Sequence, residues 1–393
     1  RAAANLMELV RLGAHGRYGL FEALDFTPDR APEGKFTPVR AYMAHHQGMI
    51  LCAIGNALHD DILIHRFVQD PRARQVSLLL SERIPREIPS EIEPLEERDR
   101  PLIPGTPLRI PSPWQPPLAA PFPQVHLLGN GRLSSWLSEA GGGGLRWHHN
   151  ALTRFVPDAT RDADGVWIYV ADEDSGALWS ATRQPTGAQP DEYQVTYHSH
   201  LAEYHRRDHG IALRLEVGVA AGDDIEVRRV ALVNETGRPR SLRLTSYGEV
   251  VLAPPLEDER HPAFSKLFVG SKHVPRLGGL LFSRRRRGPQ EAPPVLLHFV
   301  VDDQGPAQRL RFETDRRTFL GRNGRLSAPP GARADLSNTA GSALDPSMAW
   351  QLLVDLEPYE SRERVFGTWD SATREAAIDL GERHSTLASM EWA

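Results

Sequence analysis

Between Pro101 and Pro123, nine of twenty-three positions are proline. Proline has no backbone N–H to donate and a fixed φ, so a stretch this dense in it forms neither a helix nor a central strand. It reads as an extended, stiff connector with polyproline character. The hydrophobic spacing changes from one side of it to the other, and that change divides the chain.

On the N-terminal side the spacing is helical. Ala2 to Leu12 lacks Gly and Pro and places Leu6, Leu9 and Val10 on one face, before Gly13, Gly16 and Gly19 open a loop. Thr37-Pro38 is a capping residue followed by proline, a helix-start signal. The run from Val39 to Leu58 sets Met43, Gln47, Ile50, Ile54 and Leu58 at steps of three and four. Asp70-Pro71 repeats the signal for a helix from Arg72 to about Ile84.

On the C-terminal side the period is two. Ile211, Leu213, Leu215, Val217 and Val219 alternate with Ala212, Arg214, Glu216 and Gly218, and a similar pattern leads through Leu242 and Leu244 into Val250-Val251-Leu252. Gly222-Asp223-Asp224 and Asn234 to Gly237 supply turns. Arg228-Arg229 interrupts the alternation from Ile225 to Val233 as a β-bulge would. Without helical crossovers, these strands predict a large antiparallel sandwich. The organisation expected is helices over residues 1–90, a linker over 91–123, a sandwich over 124–372 and the start of a linker helix over 373–393.

A chain of 393 residues exceeds what a single core usually supports, ~250–300 residues, so more than one domain is expected. A net charge of −5 gives no general attraction to nucleic acid or anionic lipid. The single cysteine, Cys52, excludes a disulfide scaffold and a cysteine zinc site. No apolar run approaches the ~20 residues of a spanning helix. The opening on Arg1 inside a helical pattern reads as a piece of something longer.

Several residues carry candidate chemistry. Glu22 and Asp25 share a face if their segment is helical, and a partly buried carboxyl beside an aromatic has a raised pKa suited to a general acid. Neighbours on one turn do not easily straddle a sugar, so Asp25 is a poor catalytic partner for Glu22. His45 and His46 point about 100° apart on a helix and cannot chelate one metal, so with Gln47 they fit contacts to sugar hydroxyls better. No metal or cofactor is expected: His198, His200, His205 and His209 lack an acidic or cysteine ligand pattern. Gly141 to Gly144 has no following Lys-Ser or Lys-Thr and is no P-loop; it allows a tight turn or the close approach of a ligand to backbone. Trp136 and Trp147 beside that turn suit stacking on a sugar face. The run Arg284 to Arg287 fits a solvated hairpin end.

Together these stretches resemble the cyclic β-1,2-glucan synthases, large bacterial inner-membrane enzymes. Gly16-Arg-Tyr-Gly-Leu-Phe-Glu-Ala-Leu-Asp-Phe-Thr-Pro28, Tyr42-Met-Ala-His-His-Gln-Gly-Met49 and Leu79-Leu-Ser-Glu-Arg-Ile-Pro85 are similar to motifs of their glucoamylase-like domain. Gly129-Asn-Gly-Arg132, Arg154 with Asp158 to Asp162, Arg206 to Gly210, Leu244 to Ala253, His261 to Phe268 and Phe319 to Arg322 are similar to the β-sandwich of cellobiose- and chitobiose-phosphorylase-type enzymes.

The resemblance implies the C-terminal helices of an (α/α)6 toroid followed by a supersandwich. In that family a membrane-embedded glycosyltransferase elongates linear β-1,2-glucan from UDP-glucose, and the toroid closes the chain by retaining transglycosylation. Glu22 matches a catalytic carboxylate, as acid/base or nucleophile, and its partner carboxylate is expected upstream of Arg1. Tyr18, Asp25, His45, His46 and Gln47 are the implied substrate-binding residues. Phe21 stands where the family often has tyrosine, which removes one hydroxyl. The implied partners are β-1,2-glucan and the remaining domains of the parent, with this segment on the cytoplasmic side of the inner membrane. Alone it is expected to be catalytically incomplete. The competing reading is a non-catalytic carbohydrate-binding or scaffolding module.

Overall fold

The computed structural model describes residues 2–26, 36–75, 113–156, 162–286, 291–302, 310–322, 324–384 and 386. The chain divides into two compact units, Arg1–Leu108 and Arg109–Ala393.

In the first unit α1 (Ala2–Arg11) ends at Gly13, whose φ of 79° suits a residue without Cβ. A hairpin of β1 (His15–Gly16) and β2 (Gly19–Leu20) follows, then β3 (Ala23–Asp25), which pairs antiparallel with β4 (Thr37–Val39). Next come α2 (Ala44–Leu58), α3 (Ile62–Val68) and α4 (Pro71–Gln75). Thr37-Pro38 therefore does not open a helix. Pro38 sits opposite Leu24 in a two-stranded ribbon, whose outer edge tolerates a missing N–H, and the helix starts six residues later. The helix expected from Arg72 is described only as far as Gln75; its remainder and the motif from Leu79 lie outside the described residues.

The apolar stripe of α2 exists, yet none of the helix is buried. Met49, Ile50, Leu51, Ile54 and Leu58 are each at least half exposed.

The second unit is the sandwich. Its strands are β5 (Val125–Gly129), β6 (Leu133–Ser138), β7 (Gly143–Trp147), β8 (Asn150–Thr153), β9 (Trp167–Asp172), β10 (Leu178–Ser180), β11 (Glu192–Tyr197), β12 (Leu201–Asp208), β13 (Ile211–Val219), β14 (Ile225–Asn234) and β15 (Arg240–Ala253). After α5 (Pro255–Arg260) and α6 (Pro262–Lys266) come β16 (Val269–Val274), β17 (Gly279–Arg284), β18 (Val295–Asp302), β19 (Arg311–Asp315), α7 (Arg316–Leu320), β20 (Pro346–Leu356), β21 (Ser361–Ser371) and α8 (Arg374–Arg383). Among the described residues one sheet runs β11-β12-β13-β14-β21-β18-β17-β16. The other runs β10-β9-β15-β8-β7-β6-β5, with β20 also paired to β15 and β19 paired to β20. All the ladders are antiparallel. Helices followed by a large antiparallel sandwich is the fold class expected. Trp114, in the proline-rich stretch, exchanges backbone hydrogen bonds with Tyr197 at 2.8 and 2.7 Å and packs on the core.

The interior between the sheets holds Leu213, Leu215, Leu244, Phe282, Trp350 and Phe366. Further clusters cover the outer faces. Phe319 of α7 stacks on Tyr247 at 4.3 Å, and α8 lays Ala377 and Leu380 over Trp369, whose Nε1 donates to the Ala377 carbonyl at 3.0 Å. This second layer makes strands such as Trp167–Asp172 apolar on both faces.

Buried arginines with acidic partners include Arg206–Asp208, Arg228–Glu226 and Arg240–Asp172. The bulge expected at Arg228-Arg229 is absent. β14 keeps register with β13 and β21 throughout, and Glu226 and Arg228 occupy core-facing positions in line with Val230 and Leu232. Arg228 Nε donates to Glu226 at 2.7 Å, its Nη1 donates to the Val166 carbonyl at 2.8 Å, and Ser135 Oγ donates to Glu226 at 2.5 Å. A buried ion pair had imitated a broken pattern. Register shifts lie elsewhere, in β15 between Val250 and Ala253, where Leu252 has a φ of 56°, and in β19 between Glu313 and Asp315. Arg284, expected in solvent, is buried: Nη1 donates to the Ser265 carbonyl at 2.8 Å and the guanidinium lies over Phe268.

Candidate functional site

The loop opened by the glycines delivers Glu22 to the start of α2. The Glu22 amide donates to the Ala41 carbonyl at 3.1 Å. Its Oε2 accepts from the Met43 amide at 3.3 Å, and its Oε1 meets His46 Nδ1. Met43 is the N-cap residue of α2 and offers no capping side chain of its own. The carboxylate of Glu22, twenty-one residues away in sequence, thus satisfies one of the orphan amides at that end and faces the positive pole of the helix.

The electrostatics follow from these contacts. The His46 hydrogen bond holds the Glu22 carboxyl below its usual range, burial opposes it, and the Met43 amide and the charges of His46 and His45 add to the lowering. The raised value expected from aromatic burial is therefore overturned. Donors at a helix N-terminus outweigh the desolvation of a side chain that keeps some contact with water.

His45 sits beside His46, with ring centroids 4.0 Å apart. Tyr18 is exposed and meets Tyr42 edge-on at 5.6 Å, while its amide donates to Tyr42 Oη at 3.4 Å. Gln47 is on the first turn of α2, with its amide bonded to the Met43 carbonyl at 3.1 Å. Asp25 lies on β3, at the end of the pairing with Thr37. Glu22 is at a bend and Asp25 on a strand, so the shared helical face expected for them does not form. The structure thus gathers Glu22, His45 and His46 at one helix end.

Tyr42 was missing from the candidate residues. It packs against both Tyr18 and Phe21, and a Cβ on Gly16 would come within 2.4 Å of its hydroxyl. Its signal was its place just before the His-His pair, within the same short motif.

In the sandwich the glycine run seats side chains of the protein itself. A Cβ on Gly142 would fall 1.5 Å from Asp162 Oδ1, and one on Gly143 would fall 1.8 Å from the Trp136 carbonyl oxygen. Asp162 also accepts from Ser138 Oγ, and burial pushes its carboxyl pKa up. The turn Asn130–Arg132 is pinned to the β13–β14 turn: Asn130 Nδ2, Arg132 Nε and Trp147 Nε1 all donate to Asp224, at 3.1, 2.9 and 2.8 Å. Trp147 is thereby a clasp between the two sheets. His198 and His205 both meet Glu203. The segment Asp158–Arg161 lies outside the described residues. Among the described residues no helix is long and apolar enough to cross a membrane.

Comparison with known proteins bears on both units. The chain is 36% identical over 391 residues to the cyclic beta-(1,2)-glucan synthase of Rhizobium meliloti (strain 1021), covering 96% of this chain and 14% of that protein. It is 28% identical over 162 residues to an N,N'-diacetylchitobiose phosphorylase of Vibrio proteolyticus, covering 40% of this chain and 20% of that protein. The chain therefore spans only a small part of the length of these relatives. The family described as glycosyl hydrolase 94, supersandwich domain, matches residues 115–387, which takes in every strand of the sandwich. With well over half its length so matched, this chain belongs to the carbohydrate-active glycosyl hydrolase 94 supersandwich family.

Proposed function

We propose that the first unit forms part of a retaining transglycosylation site that cyclises linear β-1,2-glucan, in a parent protein that is a cyclic β-1,2-glucan synthase. The observation that carries the reading is the Glu22 carboxyl, held below its usual pKa range at the N-terminus of α2 by His46 and the Met43 amide. The similarity of nearly the whole chain to the rhizobial synthase supports β-1,2-glucan as the substrate class. We further assign the first unit to the end of a helical toroid, with Tyr18, His45, His46 and Gln47 lining its sugar subsites and Asp25 supporting them.

An ionised carboxylate suits the attacking group better than the proton donor. In the first displacement Glu22 bonds to the anomeric carbon as the glycosidic C–O bond breaks, and a second carboxyl group of the parent protonates the departing oxygen. In the second, the 2-hydroxyl at the other end of the same glucan attacks that carbon. Its proton passes to the second carboxylate, Glu22 is released and the ring closes. His46 keeps Glu22 charged and oriented between turnovers.

Mass spectrometry of linear β-1,2-glucan incubated with the full-length parent and its Glu22→Gln variant tests this. Cyclic and redistributed products fall to background in the variant. Their persistence overturns the assignment of Glu22. This chain alone leaves the substrate unchanged; turnover by it would place both carboxylates within these residues.

A further inference from the structure

Within the sandwich, the outer face of β6–β8 carries a cavity of about 290 Å³. Its wall follows from the strand alternation. Leu133, Ser135 and Leu137 face the core, so Trp136 faces outward, directly across from Gly144 of β7. A Cβ on Gly144 would stand 2.8 Å from the indole and 3.0 Å from Phe155, so only glycine lets both aromatic side chains pack there. Trp136 and Phe155 meet edge-to-face, with centroids 5.3 Å apart. The opposite side is α5, which presents Asp258 and Glu259.

The polar groups of the cavity are of both signs. Arg154 is held between two acids, its Nη2 donating to Asp258 at 2.8 Å and its Nε 3.6 Å from a Glu249 carboxylate oxygen. The side chains of Arg146 and Glu259 are exposed and have no hydrogen-bonding or ionic partner among the described residues. The indole Nε1 of Trp136 is buried with no hydrogen-bond partner, an orphan donor of the kind that calls for an explanation.

This chemistry narrows the ligand. Two arginines opposite two acids give no net pull on a phosphate or other anion. A purely apolar ligand would strip water from the exposed charges of Arg146 and Glu259. A pyranose ring matches instead: its C–H face stacks on aromatic side chains and its hydroxyls accept from and donate to guanidinium and carboxylate. The volume is close to the lower end for small-ligand pockets, ~300 Å³. We propose that the cavity between Trp136–Phe155 and α5 binds one glucosyl unit of a glucan, as an anchoring site in which no bond is broken. The choice of glucose rests on the function proposed above; the choice of a pyranose rests on the cavity.

The test is titration of the whole 393-residue chain with sophorose, the β-1,2-linked glucose disaccharide, followed by saturation-transfer NMR and calorimetry. Trp136→Ala weakens binding by about tenfold or more. Because that variant removes packing, Glu259→Gln and Arg146→Ala serve as exposed substitutions that leave thermal unfolding unchanged and still weaken binding. Undiminished binding in all three variants, or no binding by the unaltered chain, overturns the proposal. Separate failures remain distinguishable. If Glu22→Gln leaves cyclisation intact in the parent while Trp136→Ala abolishes sophorose binding here, the catalytic reading falls and the anchoring site stands.

Discussion

The helix α2 and the strand β15 are both rich in apolar residues, and they use them in opposite ways. In α2 no residue is buried, and Leu51 and Leu58 are about 70% exposed. In β15 twelve of fourteen residues are buried, because strands flank it on both edges and cores cover both faces. Hydrophobic pattern shows which face seeks a partner; it does not show whether a partner is there. The exposed stripe on α2 is the kind of surface that other protein covers. The sandwich is complete enough to bury even ionised groups.

That contrast can be broken most sharply at the buried charges. Arg228→Ala strips the Glu226 carboxyl of its ionic partner in the core, at a cost of about 3–5 kcal/mol in denaturant unfolding of the sandwich. Replacing Glu226 and Arg228 together with Leu and Met is far milder. A loss under about 1 kcal/mol for Arg228→Ala would mean that the interior is wetter than the packing indicates. Next in size, Trp350→Ala costs roughly 3–5 kcal/mol through the cavity it leaves, whereas Ile54→Ala on α2 costs less than about 0.5 kcal/mol. If Ile54→Ala proves as damaging as a core truncation, the stripe is covered in solution and the comparison fails.

A pH-dependent effect comes from His298. It is fully buried between Ser246 Oγ and Thr368 Oγ1, both 2.9 Å away, and burial pushes its pKa down to about 3, with the nearby Arg228 charge acting in the same direction. The unfolded chain titrates its histidine near the ordinary value, ~6.5, and so binds a proton that the folded state refuses. The contribution to stability is full above pH ~6.5 and is lost as pH falls toward 3, by at most about 1.4 kcal/mol per pH unit. Denaturation at several pH values shows a shallower acid slope in a His298→Gln variant. An unchanged slope would mean that His298 does not remain neutral. The smallest change is expected in the first unit. His46→Ala removes the main contact lowering the Glu22 carboxyl, so its titration, followed by carboxyl carbon NMR, moves upward while stability barely changes. No movement would detach His46 from the proposed chemistry.

Much of this was legible in the sequence. The period-two runs at Ile211–Val219 and from Leu242 onward are strands, α1 and most of α2 fall on their helical spacing, and Glu22, His45 and His46 stood out as a group by resemblance. The errors share a cause. Arg228 looked like a bulge because charge in a core position breaks an apolar count, and nothing local reveals Glu226, Ser135 and the Val166 carbonyl gathered around it. Thr37-Pro38 looked like a helix start because the competing partner, Ala23–Asp25, is twelve residues back. The glycine run suggested a ligand because the groups that fill the space, Asp162 from the loop before β9 and Trp136 from β6, lie outside the run itself.

The sequence by itself determined the type of the longer elements, the helix α2 and strands such as β13 and β15, since backbone preference and side-chain period act over a few neighbouring residues. Only the tertiary structure decided the lowered carboxyl pKa of Glu22, the inward turn of Arg228 and Arg284, and the aromatic wall at Trp136. Each of these depends on donors or room supplied by distant segments, and electrostatic and packing energies act through space, not along the chain.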